Sequence, residues 1–248
     1  MTRLSAAALT TSTVTLKQHD KSGYAYFADG VDGYAHDLAH RALDEGRIEE
    51  GYHELSAILE QHGGNGSRWV HVHWHMAVFE IALGMHEAAL GRFDRHILPA
   101  ALAHTALTDA PSLMWRLALA GPDIELPWAI VGAVAKAQSS LDAGANKPFV
   151  ALHNLLALAG AGDVVGLLEF LGRPVGVVTP ISDPVLDEWA RAFVAYVAGD
   201  FAEAAERMAV ALPRQHLIGG SHAQQQLFHA IAADARRRVA LPGLRKGR

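Results

Sequence analysis

The sequence predicts an all-α protein, a tetratricopeptide-like stack of antiparallel helix pairs that forms an α-α superhelix of about five to six repeats. From Val31 onward, apolar residues recur at helical spacing, and no stretch shows the strict alternation of a half-buried strand. Glycine interrupts this pattern roughly every 35 to 40 residues, which is typical of helix-turn-helix repeats. Together these observations favour helices throughout.

Three of the interruptions share one pattern. Each begins with a turn glycine, has an apolar or bulky third residue and ends on a small sixth residue. The three segments are GRIEEG at 46–51, GMHEAA at 84–89 and GDFAEA at 199–204. In a helical repeat the glycine ends the first helix, and the small residue lets the second helix pack closely against the first.

This pattern divides the chain into first and second helices of successive pairs. First helices are predicted near 31–45, 68–83, 109–120, 147–160, 184–198 and 221–239. Second helices are predicted near 47–62, 86–104, 124–143, 163–172 and 200–212.

Composition limits the compartment and the partners. We expect a flexible N-terminal arm at 1–30, a helical-repeat domain at 31–240 and a basic tail at 241–248. The start lacks the apolar run of an export signal and no segment has the length of a membrane span, so a soluble, cytoplasmic protein without a membrane partner is expected. A net charge of −5 disfavours nucleic acid, and a homo-oligomer is left open.

Histidine dominates the candidate chemistry. The 248 residues include 15 histidines and no cysteine, so histidine and carboxylate are the strong metal ligands on offer. His36 and His40 lie four apart on one first helix, and His71 and His75 lie four apart on the next. The two pairs are 35 residues apart, which is one repeat, so the four imidazoles are predicted to lie on adjacent turns of adjacent helices.

Other first-helix residues are predicted to share the concave surface with these pairs. His153 and His222 are candidate acid/base residues, and Asp32, one turn before His36, is its expected hydrogen-bond acceptor. Ser221 is expected to cap the last helix with Gln224 as the capping-box partner. The candidate substrate-binding residues are Arg116, Trp74, Trp115, Ser221 and Gln224.

Two interpretations of the four histidines stay open. His36, His40, His71 and His75 are either ligands of a divalent metal such as zinc or iron, or metal-free groups with catalytic or structural roles. Arg116 either anchors an anionic substrate or pairs with a carboxylate such as Asp109 or Asp123. Five histidines on second helices or in loops are expected to be solvated: His53, His62, His86, His96 and His104.

An ordered set of motifs resembles the tetratricopeptide repeat protein 38 family over its C-terminal half. The motifs are HDLAH at 36–40, HVHWH at 71–75, LGRFDR at 90–95, DAPSLMWR at 109–116 and GGSHAQ at 219–224. The resemblance implies an α-helical repeat fold with a histidine-lined interior, and it implies no particular reaction. The chain departs from the family at Gln225 and Gln226, where Arg-Asp is usual, and in having some thirty residues where the family has a further helical half.

The pattern favours an enzyme or binding protein that takes a small-molecule ligand into a histidine-lined pocket, by acid/base or metal-assisted chemistry. The alternative is a tetratricopeptide-type adaptor or scaffold for protein–protein interaction. Adaptors that clamp a terminal carboxylate use Lys, Arg and Asn on their first helices, whereas His, Trp and apolar residues occupy those positions here.

Overall fold

The computed structural model describes residues 30–64, 66–105, 107–121, 124–139, 147–172 and 183–241. Within these ranges the chain forms helices and turns and contains no strand, which confirms the all-α prediction. Nearly all of the predicted N-terminal arm and basic tail, namely 1–29 and 242–248, lies outside the described residues.

The α-helices are numbered in chain order, α1 to α12. They are Val31–Asp44, Ile48–His62, Ser67–Ala82, His86–Arg92, Leu98–Leu102, Asp109–Ala120, Trp128–Ser139, Pro148–Gly160, Val164–Leu171, Asp183–Ala198, Phe201–Ala211 and His222–Ala240. A π-helical turn, Phe93–Ile97, joins α4 to α5, and a 3-10 helix, Leu212–Leu217, follows α11.

The turn glycines have the predicted conformation. Gly46, Gly84 and Gly199 have φ angles of 70°, 75° and 80°, the left-handed region that glycine adopts without a steric cost. The small sixth residue also acts as predicted at Gly51, where an added Cβ would lie 2.6 Å from the Cβ of Ala42. Its absence lets α2 pack directly against α1.

Two second helices differ from their predicted bounds because of proline. The helix predicted over 86–104 is divided by the π-helical turn, and Pro99 at the start of α5 explains the division. Proline has no N–H for the bond to the carbonyl four residues earlier, so a regular helix cannot continue. The helix predicted from 124 begins at Trp128, since Pro127 disfavours the helical conformation at Leu126.

Packing places α3 at the centre of the N-terminal half. One hydrophobic cluster joins α3 to α1 and α2 through Val72, Met76 and Phe79, and a second joins α3 to α4–α7 through Val70 and Trp74. Contacts run from α1 to α3, α3 to α6, α6 to α8 and α8 to α10, while α12 contacts both α6 and α1. The histidine pairs of α1 and α3 therefore face each other with α6 nearby.

None of the described helices has both the length and the apolar character that crossing a membrane requires.

Candidate metal centre

Four histidines from α1 and α3 form one cluster. One ring nitrogen from each of His36, His40, His71 and His75 can be chosen so that all four atoms lie within 4.8 Å of one another. The ring centroids of neighbouring pairs are 4.3 Å to 5.3 Å apart. The two pairs predicted from the repeat spacing thus meet in space. We call this group the four-histidine cluster.

The cluster has a buried floor and a partly exposed rim. His75 is 0% exposed, and neither of its ring nitrogens has a hydrogen-bond partner. The side chains of His36 and His71 are 16% and 19% exposed. A buried imidazole without a partner costs stability, because its nitrogens give up hydrogen bonds to water and gain none from the protein.

Asp109 orients one member of the cluster. The Nδ1 of His71 lies 2.9 Å from the Oδ1 of Asp109, a carboxylate that is itself buried at the start of α6. With Nδ1–H donating to Asp109, the Nε2 of His71 is left to accept a proton or bind a metal ion. Burial lowers the pKa of His71, but the charge and the hydrogen bond of Asp109 outweigh burial and raise that pKa above its usual value.

Sequence reasoning missed this role of Asp109 and offered it as a partner for Arg116. A usable signal exists in the repeat spacing. His71 and Asp109 are 38 residues apart, and so are Trp74 and Ser112, whose side chains are joined by a 2.8 Å hydrogen bond from Nε1 to Oγ. Extending the repeat register by one step would have placed Asp109 beside His71.

The other three histidines are held in the neutral form. Burial, reinforced by the charge of a neighbouring histidine, lowers the pKa of His36 and of His40 to about 4. Burial also lowers the pKa of His75 well below its usual value. The Nε2 atoms of His36 and His40 are 3.0 Å apart, so one of these nitrogens donates to the other.

Asp32 is not the partner that the sequence predicts for His36. Its carboxylate accepts a 3.3 Å hydrogen bond from Arg68 on α3. The Nδ1 of His36 instead lies 3.5 Å from Asp37, the next residue along α1. The packing of α1 on α3 brings Arg68 close to Asp32, so the carboxylate of Asp32 pairs with Arg68 instead of His36.

Trp74 and Arg116 lie beside the cluster. The indole of Trp74 stacks on His71 with an interplanar angle of 5° and packs edge-on against His75. The guanidinium of Arg116 lies 5.6 Å from the centroid of the Trp74 ring. The positive charge of Arg116 is one cause, after burial and the neighbouring histidines, of the lowered pKa of His75. Arg116 therefore lies near the cluster, whereas Trp74 is fully buried and belongs to the core beside it, so it does not form an open ligand wall.

His153 is close to this region but outside the four-histidine cluster. It is 1% exposed on α8, and its Nδ1 donates to the carbonyl of Phe149 at 2.7 Å. Burial lowers the pKa of His153 to about 4, with Asp109 and Arg116 as further influences. A neutral imidazole with Nε2 unprotonated suits a general base.

The remaining predicted site residues have other positions. His222 lies at the N-terminus of α12 with most of its side chain exposed and its Nδ1 3.3 Å from Asp44, so it does not join the four-histidine cluster. Ser221 and Gln224 form the predicted capping box, which occupies their side chains within the helix end. Trp115 is buried, donates to the carbonyl of Leu156 and packs on Trp128, Phe193 and Tyr196. It belongs to the core and does not form a ligand wall.

A second pair of histidines lies on another face of α3. His73 stacks on His96 of the π-helical turn with ring centroids 3.7 Å apart, and its Nδ1 accepts from Arg92 at 3.0 Å. Arg92 also forms a bidentate ion pair with the buried Glu80, at 3.0 Å and 2.7 Å. His96, expected to be solvated, is half-buried by this stacking.

No protein-family model matches the chain, and no solved structure matches it. The resemblance in the motifs therefore remains an expectation.

Proposed function

We propose that the protein is a metal-dependent enzyme or binding protein for a small molecule, in which the four-histidine cluster holds one divalent transition-metal ion such as zinc or iron. The observation that carries this proposal is His75, a fully buried imidazole whose two nitrogens have no partner and which faces three other imidazoles. A metal ion would satisfy one of those nitrogens and offset the cost of burying it.

The distances support a metal ion after a small contraction. Zinc binds histidine nitrogen at about 2.0–2.1 Å, which places tetrahedral ligand atoms roughly 3.4 Å apart. The four nitrogens lie within 4.8 Å of one another, so any two of them need to approach by at most about 1.4 Å. All-imidazole sites suit zinc, copper, iron and nickel better than calcium or magnesium.

The electrostatics support the same proposal. Histidine must be neutral to bind a metal ion, and burial keeps His36, His40 and His75 neutral at pH 7. Asp109 provides the carboxylate–histidine pairing that commonly orients a metal ligand and makes it more basic.

The surroundings favour a reactive or ligand-binding centre. His36 and His71 are partly exposed, which gives a small molecule access to the cluster from solvent. A bound divalent ion would supply Lewis acidity toward an oxygen atom of that molecule. His153 and Arg116 are the nearby groups for proton transfer and for binding charge.

We infer further that the helices form a tetratricopeptide-like stack, as in the C-terminal half of the family that the motifs resemble. The serial contacts of α1, α3, α6, α8 and α10 support this arrangement. In such a stack, equivalent positions of successive first helices lie side by side, which accounts for the meeting of the two histidine pairs.

Elemental analysis of untagged protein, purified without chelators, tests the metal proposal. We expect about one transition-metal ion per chain, and about one zinc ion bound on titration of chelator-treated protein. The His75→Leu variant should lose this binding, whereas the exposed His229→Leu control should keep it. A protein that neither retains nor takes up a transition metal would refute the proposal.

A further inference from the structure

Arg116 is a cation without an anionic partner. Across the described part of the chain, no carboxylate oxygen lies within ion-pair distance of its guanidinium, and Asp109, one of the two carboxylates suggested by the sequence, is bonded to His71. The other, Asp123, lies outside the described residues. The polar contact of Arg116 is a hydrogen bond from Nη2 to the carbonyl oxygen of Ala223.

The guanidinium also has an unused donor. The Nε of Arg116 is buried and has no hydrogen-bond partner. Burial lowers the pKa of Arg116 to about 10, a value at which the group still carries its charge at neutral pH. A partly buried charge with no counter-charge among the described residues is unfavourable, and a bound anion would offset that cost.

The charge balance of the four-histidine cluster leads to the same conclusion. Four neutral imidazoles bring no negative charge to a divalent ion, and among the described residues the buried carboxylate beside them is that of Asp109. Asp37 and Asp44 lie near the cluster on α1, but both are well exposed and screened by solvent. With Arg116 close by, the loaded site would keep a net positive charge.

We propose that the substrate or ligand of this protein is an oxyanion, a carboxylate or phosphate-type group, that binds between the four-histidine cluster and the guanidinium of Arg116. The inference rests on the proposed function for the metal ion. It adds the chemical class of the ligand and assigns Arg116 as the residue that selects it. Guanidinium groups suit this task because their planar donors match the oxygens of carboxylate and phosphate.

Trp74 connects the two halves of this site. Its ring contacts His71 and His75 and also lies under the guanidinium of Arg116. Its Nε1 donates to Ser112, which fixes the indole between α3 and α6. The arginine and the histidines therefore pack against the same buried indole.

Isothermal titration with inorganic phosphate, sulfate and acetate tests this inference on zinc-loaded and on chelator-treated protein. The wild type should bind at least one of these anions saturably, with the zinc-loaded form binding more tightly. Arg116→Gln should weaken binding at least tenfold, and Arg116→Lys, which keeps the charge, should retain part of it. The exposed Arg236→Gln variant is the matched control and should bind like the wild type.

A second measurement uses the wild type alone, so it does not depend on whether the variants fold. In arginine side-chain NMR spectra of the wild type, the Nε–H signal of Arg116 should shift on addition of the anion that binds. If no zinc binds, the chelator-treated arm still tests Arg116 alone, so failure of the metal proposal and failure of the anion inference are distinguishable. Equal affinities for wild type and Arg116→Gln, or an Nε–H signal unmoved by all three anions, would overturn the inference.

Discussion

Helix α3 contributes histidines to two sites that differ in their hydrogen-bond partners. On one face, His71 and His75 join His36 and His40 in a cluster that contains an unpartnered, fully buried imidazole. On another face, His73 accepts from Arg92, which is paired with Glu80. Among the described side chains, the buried polar atoms without partners belong to His75, Arg116 and Asn154, and none belongs to the second site.

The two sites differ in the partners of their histidines and not in residue type. Burial, together with the charges of His96, Arg92 and Arg95, lowers the pKa of His73 to about 3. A neutral His73 thus completes a closed polar network that holds α3 to α4 and the π-helical turn. The four-histidine cluster has the same residue type on the same helix, but both ring nitrogens of His75 lack a partner.

The largest expected effect is a loss of stability when the network of His73, Arg92 and Glu80 is broken. Glu80→Gln leaves the guanidinium of Arg92 without its carboxylate, and we expect a loss of roughly 3 kcal/mol in the free energy of unfolding. Chemical denaturation measures the loss, which should be equal in zinc-loaded and zinc-free protein. The control is Glu203→Gln, which breaks the more exposed pair with Arg207 and should cost under about 1 kcal/mol. Similar losses in both variants would contradict a structural role for the network.

The next effect separates stability from metal binding at the cluster. With free zinc at 100 times its dissociation constant, the wild type should gain about 2.7 kcal/mol of stability, and His75→Leu should lose that gain. Without zinc, His75→Leu should be as stable as the wild type or more stable by about 1 kcal/mol, because an unpartnered polar group has been removed from the core. A variant that is destabilised without zinc yet keeps the zinc-dependent gain would show that His75 is only a packing residue.

A smaller effect is expected at Asp109, which acts on the metal ion through His71. Asp109→Asn removes the charge that raises the pKa of His71, so zinc affinity should fall roughly 10- to 100-fold, measured by competition with a chromophoric chelator. Proton release on zinc binding should also become smaller, because His71 has a lower pKa without Asp109, and titrations in buffers of different ionisation enthalpy would detect this. Asp94→Asn, at an exposed carboxylate, is the control. Unchanged affinity and proton release in Asp109→Asn would remove Asp109 from the site.

The last effect is confined to acid pH in zinc-free protein. His36 and His40 have folded-state pKa values of about 4, so between pH 6.5 and pH 4 they take up protons in the unfolded chain before they do so in the folded one. Stability should therefore fall as the pH falls through this window. His40→Gln should flatten the decline, and the exposed His229→Gln should not. Identical pH profiles for His40→Gln and the wild type would contradict the burial of His40.

Much of the helical fold could be predicted from the sequence, because glycine turns and apolar periodicity are local signals. Gly46, Gly84 and Gly199 mark turns where they were predicted, and Ser221 caps α12 as its spacing with Gln224 indicates. The errors in helix bounds lie beside Pro99 and Pro127, where backbone restriction overrode the apolar pattern.

The candidate site was predicted in part. The repeat spacing predicted that His36 and His40 would lie beside His71 and His75, since equivalent positions of adjacent helices lie together. The partners of these residues depend on which neighbour each side chain reaches in three dimensions. Asp32 accepts a hydrogen bond from Arg68 instead of His36, and Asp109 pairs with His71 instead of Arg116. Helical spacing cannot decide such competition, so the unpartnered nitrogens of His75 and the unpartnered Nε of Arg116 are visible only in the structure.

X-ray absorption spectroscopy at the zinc edge, on protein loaded with one equivalent of zinc, tests the central claim most directly. We expect the zinc ion in the wild type to be coordinated by imidazole nitrogens of four histidines at about 2.0–2.1 Å. The His75→Leu variant should lose that coordination. A six-coordinate, oxygen-rich shell that is identical in wild type and His75→Leu would show that zinc binds elsewhere, and it would contradict the four-histidine metal centre.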